Sequence, residues 1–281
     1  MKPLHRLLAT APARGFHLWR NTLAASLLLS ASLASAATEY PSGDLTVEDH
    51  MDLGSPVKSL TFLDTVEYSN VTSFLGQGFV NGGTALQGAN QITRLVADDI
   101  TPTGANAGQD VTQVKFSVAN FGTVPVSVRA RIRFWFDNAG VPGTYYNLPS
   151  AVGFSFNAFT FSPGVTVLTG TIGPGLWTMP VGTAPFWAGI TFDDNSGATG
   201  ATQAQMDMLG QGLFGPPDVG TSADTGFQTT AAGSFFNINS PAGAAFNFAG
   251  VPPTNFGWEF TAVTATPAAQ SSWGRIKNLY R

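Results

Sequence analysis

The chain has 281 residues, with 13 Lys and Arg, 17 Asp and Glu and no cysteine, and only 11% of its residues are charged. The absence of cysteine excludes disulfides, thiolate metal sites and cysteine nucleophiles. No Lys or Arg lies between Arg133 and Arg275, so half of the chain cannot neutralise phosphates, and we expect no nucleic acid partner.

The first 36 residues have the order of a secretory signal peptide. Four basic residues precede the apolar run at residues 23–29, and Ala34-Ser35-Ala36 follows as a small-residue cleavage site. The apolar run is too short to span a bilayer, so we expect no transmembrane span in the mature chain. Removal of residues 1–36 leaves nine Lys and Arg against 17 Asp and Glu, a net charge of −8. We therefore expect a secreted protein, extracellular or at the cell surface.

The body of the chain has the pattern of an all-β domain. Residues 37–65 are polar and predict an irregular leader, whereas from residue 66 to 263 apolar runs alternate with Gly, Asn, Pro and Asp at the spacing of sandwich strands. The clearest strand is 126–136, where Val128 and Ile132 alternate with polar residues. The pattern predicts an antiparallel, jelly-roll-like β-sandwich with a Phe-rich core. Further strands are predicted at residues 113–118, 154–161, 165–172, 186–192, 246–248 and 256–262.

Helix formers are concentrated only in residues 199–213 inside the domain. This stretch is rich in Ala, Gln and Met, and Gly210 and Gly212 would end a helix there. We therefore predict at most one short interior helix, in a loop between strands.

A linker at residues 264–272 precedes a tail, 273–281, that predicts a short C-terminal helix. Three apolar residues of the tail fall on one helical face, and Ser272 can cap the helix. Its basic charge is opposite to that of the body, and so short a helix is marginal alone in water. It should order against a partner, which is either the protein's own surface or sorting machinery that reads it as a tag. The candidate sorting tail comprises Trp273, Arg275, Ile276, Lys277, Tyr280 and Arg281.

Four motifs occur in order along the predicted sandwich: LVADDI at residues 95–100, RIRFWFDNAGVPG at 131–143, FWAGITFDDN at 186–195 and NFGWE at 255–259. Together they resemble exported all-β domains of environmental bacteria, found in surface-sorted proteins of the PEP-CTERM kind. The resemblance covers about residues 68–262 and implies no activity that can be transferred residue by residue. The chain departs from that kind at its end, which has no Pro-Glu-Pro before an apolar span.

A row of arginines is the first candidate site. Arg129, Arg131, Arg133 and Trp135 alternate on what we expect to be the solvent face of the 126–136 strand. They could form a site for an anion or acidic polysaccharide, with Trp135 as an aromatic platform. Alternatively, the arginines form a charge ladder with Asp and Glu of neighbouring strands. Because the mature chain is acidic, we favour the ladder.

The second candidate is a calcium site. Asp193, Asp194 and Asn195 form the densest cluster of hard oxygen ligands, and with Asp98 and Asp99 they could hold Ca²⁺. The spacing does not match an EF-hand, and the same cluster suits a turn after the 186–192 strand. We favour the turn and expect no cofactor.

Catalytic chemistry has little support. After removal of the signal peptide only His50 remains, so neither a Ser-His-Asp triad nor a common zinc site is expected. A glycosidase needs two carboxylates close together, and every candidate also fits a turn or a solvated face. These candidates are Asp137, Asp193, Asp194, Asp207 and Glu259.

Three functions follow from these observations. The leading hypothesis is a non-catalytic module with a structural or adhesive role, whose partner is an extracellular polysaccharide or a cell-envelope component. The alternative is a carbohydrate-binding module that uses exposed Trp and Tyr, and a glycoside-active enzyme is the least favoured. Exposed coplanar aromatics on a concave face would favour carbohydrate binding, and their absence would favour the structural role.

Overall fold

A computed structural model describes residues 38–40, 45–47, 64–87, 89–145, 153–173, 175–179, 184–232 and 241–263. Strands dominate these residues, and one helix of four residues is present among them. No helix in the described ranges is long and apolar enough to cross a membrane. The prediction of an all-β antiparallel sandwich is confirmed.

The strands are β1 (Thr38–Tyr40), β2 (Leu45–Val47), β3 (Asp64–Ser69), β4 (Phe74–Val80), β5 (Ala85–Gln87), β6 (Asn90–Ile92), β7 (Val96–Ile100), β8 (Val111–Asn120), β9 (Val126–Asp137), β10 (Pro142–Tyr145), β11 (Phe154–Phe156), β12 (Phe159–Phe161), β13 (Gly164–Thr171), β14 (Phe186–Asp193), β15 (Leu209–Phe214), β16 (Gly226–Thr229), β17 (Gly243–Phe246), β18 (Asn255–Phe256) and β19 (Trp258–Val263). The helix is α1 (Gln203–Met206).

Two sheets are built from these strands. Sheet 1 has the order β1-β13-β8-β15-β18, with β4 beside β15, and with β19 between β8 and β3. Sheet 2 has the order β17-β16-β7-β14-β9-β11-β2, and β5, β6, β10 and β12 extend it. Every described pair is antiparallel except β1 with β13.

Aromatic side chains from both sheets fill the space between them. Phe134 of sheet 2 stacks on Trp177 with ring centroids 4.1 Å apart, and Phe260 of sheet 1 lies edge-on to Trp177 at 5.4 Å. Phe186 reaches the same Phe260 ring at 5.4 Å. These offset and edge-to-face arrangements suit the quadrupoles of the rings, and their buried area makes this cluster a major stabilising contact between the sheets.

The structure differs from the sequence prediction in several segments. The strand predicted at residues 246–248 lies at Gly243–Phe246 instead, so only Phe246 is common to both. The leader predicted to be irregular contains β1 and β2, which pair with β13 and β11. Of the helix formers in 199–213, only α1 is helical, begun by a capping box between Thr202 and Gln205. Residues 209–214 form β15 instead, because glycines at 210 and 212 allow close approach of β4 and of the Phe74 and Phe214 rings.

Sheet 2 is covered on its outer face as well as its inner face. Leu95, Ala97, Trp135, Trp187 and Phe227 form a second apolar cluster there, and all are buried. The Trp135 ring lies over the backbone of β14, where Gly189 leaves room for it. The sheet therefore packs on both sides, unlike an antiparallel sheet with one solvated face.

We expect Gly189→Ala to destabilise the fold by about 1–3 kcal/mol, because an added methyl overfills a packed layer. Its carbon would lie 2.8 Å from both Trp135 Cζ3 and Leu95 Cδ1. Gly173→Ala is the control, since its methyl meets only the flexible end of Leu176, at 3.1 Å. Chemical unfolding of both variants measures the difference. Equal midpoints would show that Trp135 moves aside freely.

Candidate functional site

The arginine row lies on the outer face of β9, beside a row of β14 residues on the same face of the sheet. Arg129 is opposite Asp193, Arg131 is opposite Thr191, and Trp135 is opposite Trp187. The two strands are neighbours at the centre of sheet 2. Because side chains alternate along each strand, Arg129 and Arg131 of β9 and Asp193 of β14 lie together on this face. Trp135 and Trp187 lie side by side on the same face, four to six residues further along β9 from these two arginines.

Asp193 binds two arginines of the row at once. Its Oδ1 accepts a hydrogen bond from Arg129 Nε at 2.8 Å, and its Oδ2 accepts one from Arg131 Nε. The backbone N–H of Asn195 also donates to Oδ1, at 2.7 Å. The Asp193 side chain is fully buried, whereas the side chains of Arg129 and Arg131 are 22% and 11% exposed. One carboxylate thus fixes both guanidinium groups and the start of the following loop.

Two arginines of the row, Arg129 and Arg131, pair with Asp193, but the row is not on a solvent face. Arg131 and Arg133 are buried, and Trp135 is fully buried. The expectation of a solvated face is therefore wrong for these three residues, because the outer apolar cluster covers the sheet. Trp135 offers no open surface on which a sugar ring could stack, and Trp187 is equally buried, with its indole N–H donating to Asp137 at 2.9 Å.

The loop after β14 is a hydrogen-bonded turn. The Asp194 carboxylate accepts from the backbone and side-chain nitrogens of Gln91, at 2.9 and 3.2 Å. Asn195 and Ser196 adopt left-handed backbone conformations, with φ of 53° and 55°. N–H and guanidinium donors point at the oxygens of Asp193 and Asp194, and a bound cation would have to displace these donors.

Asp98 and Asp99 do not reach this loop. On β7 they lie opposite Ala188 and Trp187 of β14, which places Asp98 five positions from Asp193. At about 3.3 Å per residue that separation is roughly 17 Å. Among the described residues no group of three or more His, Cys, Asp or Glu is placed to hold a metal ion. The five residues considered for Ca²⁺ are thus divided between two separate places.

Asp98 is buried in the core between the sheets. It shares the face of β7 that carries Val96 and Ile100, and it is fully buried. Its Oδ2 accepts the backbone N–H of Phe256 at 2.8 Å, so it joins β7 of sheet 2 to β18 of sheet 1. Its Oδ1 accepts no hydrogen bond from the described residues. Burial raises the pKa of Asp98 well above its ordinary value, and the charge of Asp99 raises it further.

A tyrosine lies in the same buried environment. Tyr68 of β3 is fully buried against Phe260, and its hydroxyl has no hydrogen-bond partner among the described residues. Burial raises the pKa of Tyr68 well above its ordinary value, and the charges of Asp98 and then Asp99 add to this. An ionised Tyr68 is therefore not available to act as a base.

Asp99 points to the other face of β7 and orders the turn before β16. It accepts hydrogen bonds from Ser222 Oγ and Thr225 N, both at 3.0 Å, and from Ala223 N. Burial raises its pKa, and these donors counteract part of that effect. Because consecutive strand residues face opposite sides, Asp98 and Asp99 cannot act on one substrate from within the sheet.

Glu67 is a buried carboxylate that the sequence interpretation missed. Its Oε1 accepts from the backbone and side-chain nitrogens of Asn106, at 3.0 and 2.6 Å, and its Oε2 accepts from Thr103. The interaction fixes the loop after β7 on β3. Nothing in the DTVEYS sequence of β3 predicts that Glu67 is buried and not exposed to solvent. The core position of Asp98, by contrast, follows from its alternation with Val96 and Ile100.

The remaining carboxylates proposed for glycosidase chemistry each have a different hydrogen-bond or ion-pair partner. Asp137 accepts from Trp187 and Gly140, and Asp207 accepts the backbone N–H of Thr84 at 2.8 Å. Glu259 pairs with Lys115 at 3.2 Å. The predicted signal peptide at residues 1–36, the predicted linker and the candidate sorting tail lie outside the described residues.

Asp193→Ala should destabilise the fold by about 3–5 kcal/mol, since it leaves two largely buried guanidinium groups without their carboxylate. Asp218→Ala is the matched control, because exposed Asp218 interacts with the Thr72 hydroxyl and should change stability by less than about 1 kcal/mol. Urea unfolding compares the two. Similar losses would show that Asp193 behaves as a surface residue.

Asp98→Asn should change how stability depends on pH. Because the folded protein holds the Asp98 proton more tightly, its contribution is fully present below the unfolded-state pKa, about 3.9, and falls as pH rises towards the raised pKa. Asparagine cannot ionise, so Asp98→Asn should gain stability relative to the native protein as pH rises from about 4 to 7. Unfolding at several pH values measures this, with Asp218→Asn as control. A difference independent of pH would contradict it.

No known protein family, no curated protein and no solved structure matches the chain. The resemblance to exported all-β domains, drawn from the four sequence motifs, therefore stays an expectation. What the chain does has to be argued from its own geometry.

Proposed function

We propose that this chain is a non-catalytic, secreted or cell-surface β-sandwich module with a structural or adhesive role. The sequence supports the compartment through the order of basic, apolar and small residues in 1–36. The described domain supports the role through what its polar groups do. Its buried acids and arginines join strands, sheets and turns to each other.

The burial of the tryptophans is the observation that favours a structural role over carbohydrate binding. All four tryptophans of the described ranges, Trp135, Trp177, Trp187 and Trp258, are buried. The large exposed hydrophobic residues among the described ones include one aromatic, Phe136, at 45% exposure. A single ring does not make the coplanar pair that a sugar-stacking surface needs. The side chains of Tyr145 and Tyr146 lie outside the described residues.

The carboxylates argue against glycoside chemistry. A general acid with a raised pKa must reach the leaving oxygen of a substrate, and its partner carboxylate must lie within about 5–10 Å of it. Asp98 has the raised pKa but is enclosed between the sheets. Both carboxylate oxygens of Asp193 and of Glu67 accept hydrogen bonds from donors of the chain itself.

The test uses residues 37–281, purified from the secreted fraction. We expect no saturable binding on an array of neutral and acidic glycans and no release of sugar from the same polysaccharides. Loss of the gene should change attachment of the producing cells or cohesion of their matrix. Asp193→Ala serves as the control variant, because a structural module should fail whenever its fold fails.

Three results would contradict the proposal. Saturable binding to one glycan class would support the carbohydrate-binding alternative, and turnover of a polysaccharide would support an enzyme. Recovery of the chain only inside the cells, with residues 1–36 still attached by intact mass, would exclude the secreted location.

A further inference from the structure

Strand β17 forms one end of sheet 2 and is open to solvent. It pairs with β16 on one side, and no described strand lies on its other side. Gly243, Ala244 and Ala245 are exposed. Residues 225–258, which contain both strands, include no Lys, Arg, His, Asp or Glu. An open edge therefore lies in an uncharged part of an acidic domain.

The register shows which backbone groups point outwards. Thr230 N donates to Ala242 O at 3.0 Å, so Ala242, Ala244 and Phe246 turn their backbone groups towards β16. In an antiparallel pair these alternate with residues whose groups point away. On the other side of β16, Thr229 N bonds Leu95 O at 3.1 Å, which agrees with this alternation. The N–H and C=O groups of Gly243 and Ala245 therefore face the open edge.

Strand β17 is anchored to sheet 1 by the side chain of Phe246. The Phe246 ring stacks on Phe79 of sheet 1 with centroids 4.7 Å apart and an interplanar angle of 19°. Gly226 leaves room for that ring, since a side chain there would lie 2.7 Å from Phe246 Cζ. A strand that is anchored in the core presents its free hydrogen-bonding groups in fixed positions, which lowers the entropy lost on pairing.

Three of the other open strands carry devices that prevent edge pairing. Strand β3 has exposed Asp64, β4 has a register shift and a left-handed glycine at Gly76, and β10 has a register shift. Charges and bulges of this kind protect edges against association. Strand β17 has no charge, no proline and no register shift.

We propose that β17 is a self-association edge, at which two copies of the chain pair their β17 strands antiparallel and extend sheet 2 across a two-fold axis. The outward N–H and C=O groups of Gly243 and Ala245 would bond those of the second copy. Two bodies of net charge −8 repel each other where their acids meet, whereas the uncharged stretch 225–258 allows close approach. A charged ligand would find no countercharge within that stretch.

The association should be weak in solution. Four residues of strand pairing bury much less than the roughly 1,600 Å² of a standard stable interface. Display of many copies on one surface would raise the effective concentration and strengthen it. The inference goes beyond the proposed function and needs only the folded chain, so glycan binding or cell location does not bear on it.

Sedimentation velocity of residues 37–281 across the micromolar range tests the edge. The native chain should show concentration-dependent dimers. Ala245→Lys places a charge on the edge, and Ala245→Pro removes an outward N–H without removing a bond to β16. Val124→Lys is the matched control, because Val124 is 47% exposed in the loop before β9 and receives the same charge.

Both Ala245 variants should weaken dimerisation by at least about tenfold, while Val124→Lys matches the native chain. Unchanged melting temperatures would show that Ala245→Lys still folds, so the comparison stands even if the proline variant does not. A native chain that remains monomeric overturns the proposal. Equal weakening by Ala245→Lys and Val124→Lys also overturns it, because the effect is then one of net charge.

Discussion

Sheet 2 is packed on both faces, and the arrangement of polar groups depends on this. Its inner face meets the aromatic core, and its outer face carries the cluster around Trp135 and Trp187. An arginine or aspartate that alternation assigns to the outer face therefore loses most of its water. Such a charge is tolerated only with a partner at hydrogen-bonding distance, which is what Asp193 provides to Arg129 and Arg131.

Because buried charges need hydrogen-bonding partners, the buried carboxylates link separate segments of the chain. Asp98 joins the two sheets through Phe256, Asp99 orders the turn before β16, and Glu67 holds the loop at Asn106. Each acid is near backbone N–H groups that would otherwise be unsatisfied, and the pairing benefits both groups. With no cysteine in the chain, these contacts and the aromatic core stabilise the domain without disulfides.

This use of charge bears on function. Catalytic or ligand-binding acids need an open side from which a substrate approaches, and strain or unpaired groups are usual there. Two of the buried polar atoms that accept or donate no hydrogen bond among the described residues, Asp98 Oδ1 and the Tyr68 hydroxyl, are enclosed between the sheets. The outward backbone groups of the β17 edge, by contrast, are open to solvent. Strand pairing at this edge, as we propose it, fits the structural role proposed above.

The sequence by itself determined the all-β class and the alternation of the longer strands β8, β9, β13 and β14, and it favoured the pairing of arginines with acidic residues over an anion site. Those features are local, because a period of two and turn-forming residues need no distant contact. Only the tertiary structure decided that the arginine face is buried, that Asp98 and Asp99 are remote from Asp193, and that residues 209–214 form a strand. Each of these depends on which elements pack against which. Alternation separates the two faces of a strand, but the covering of a face is decided by residues distant in the chain.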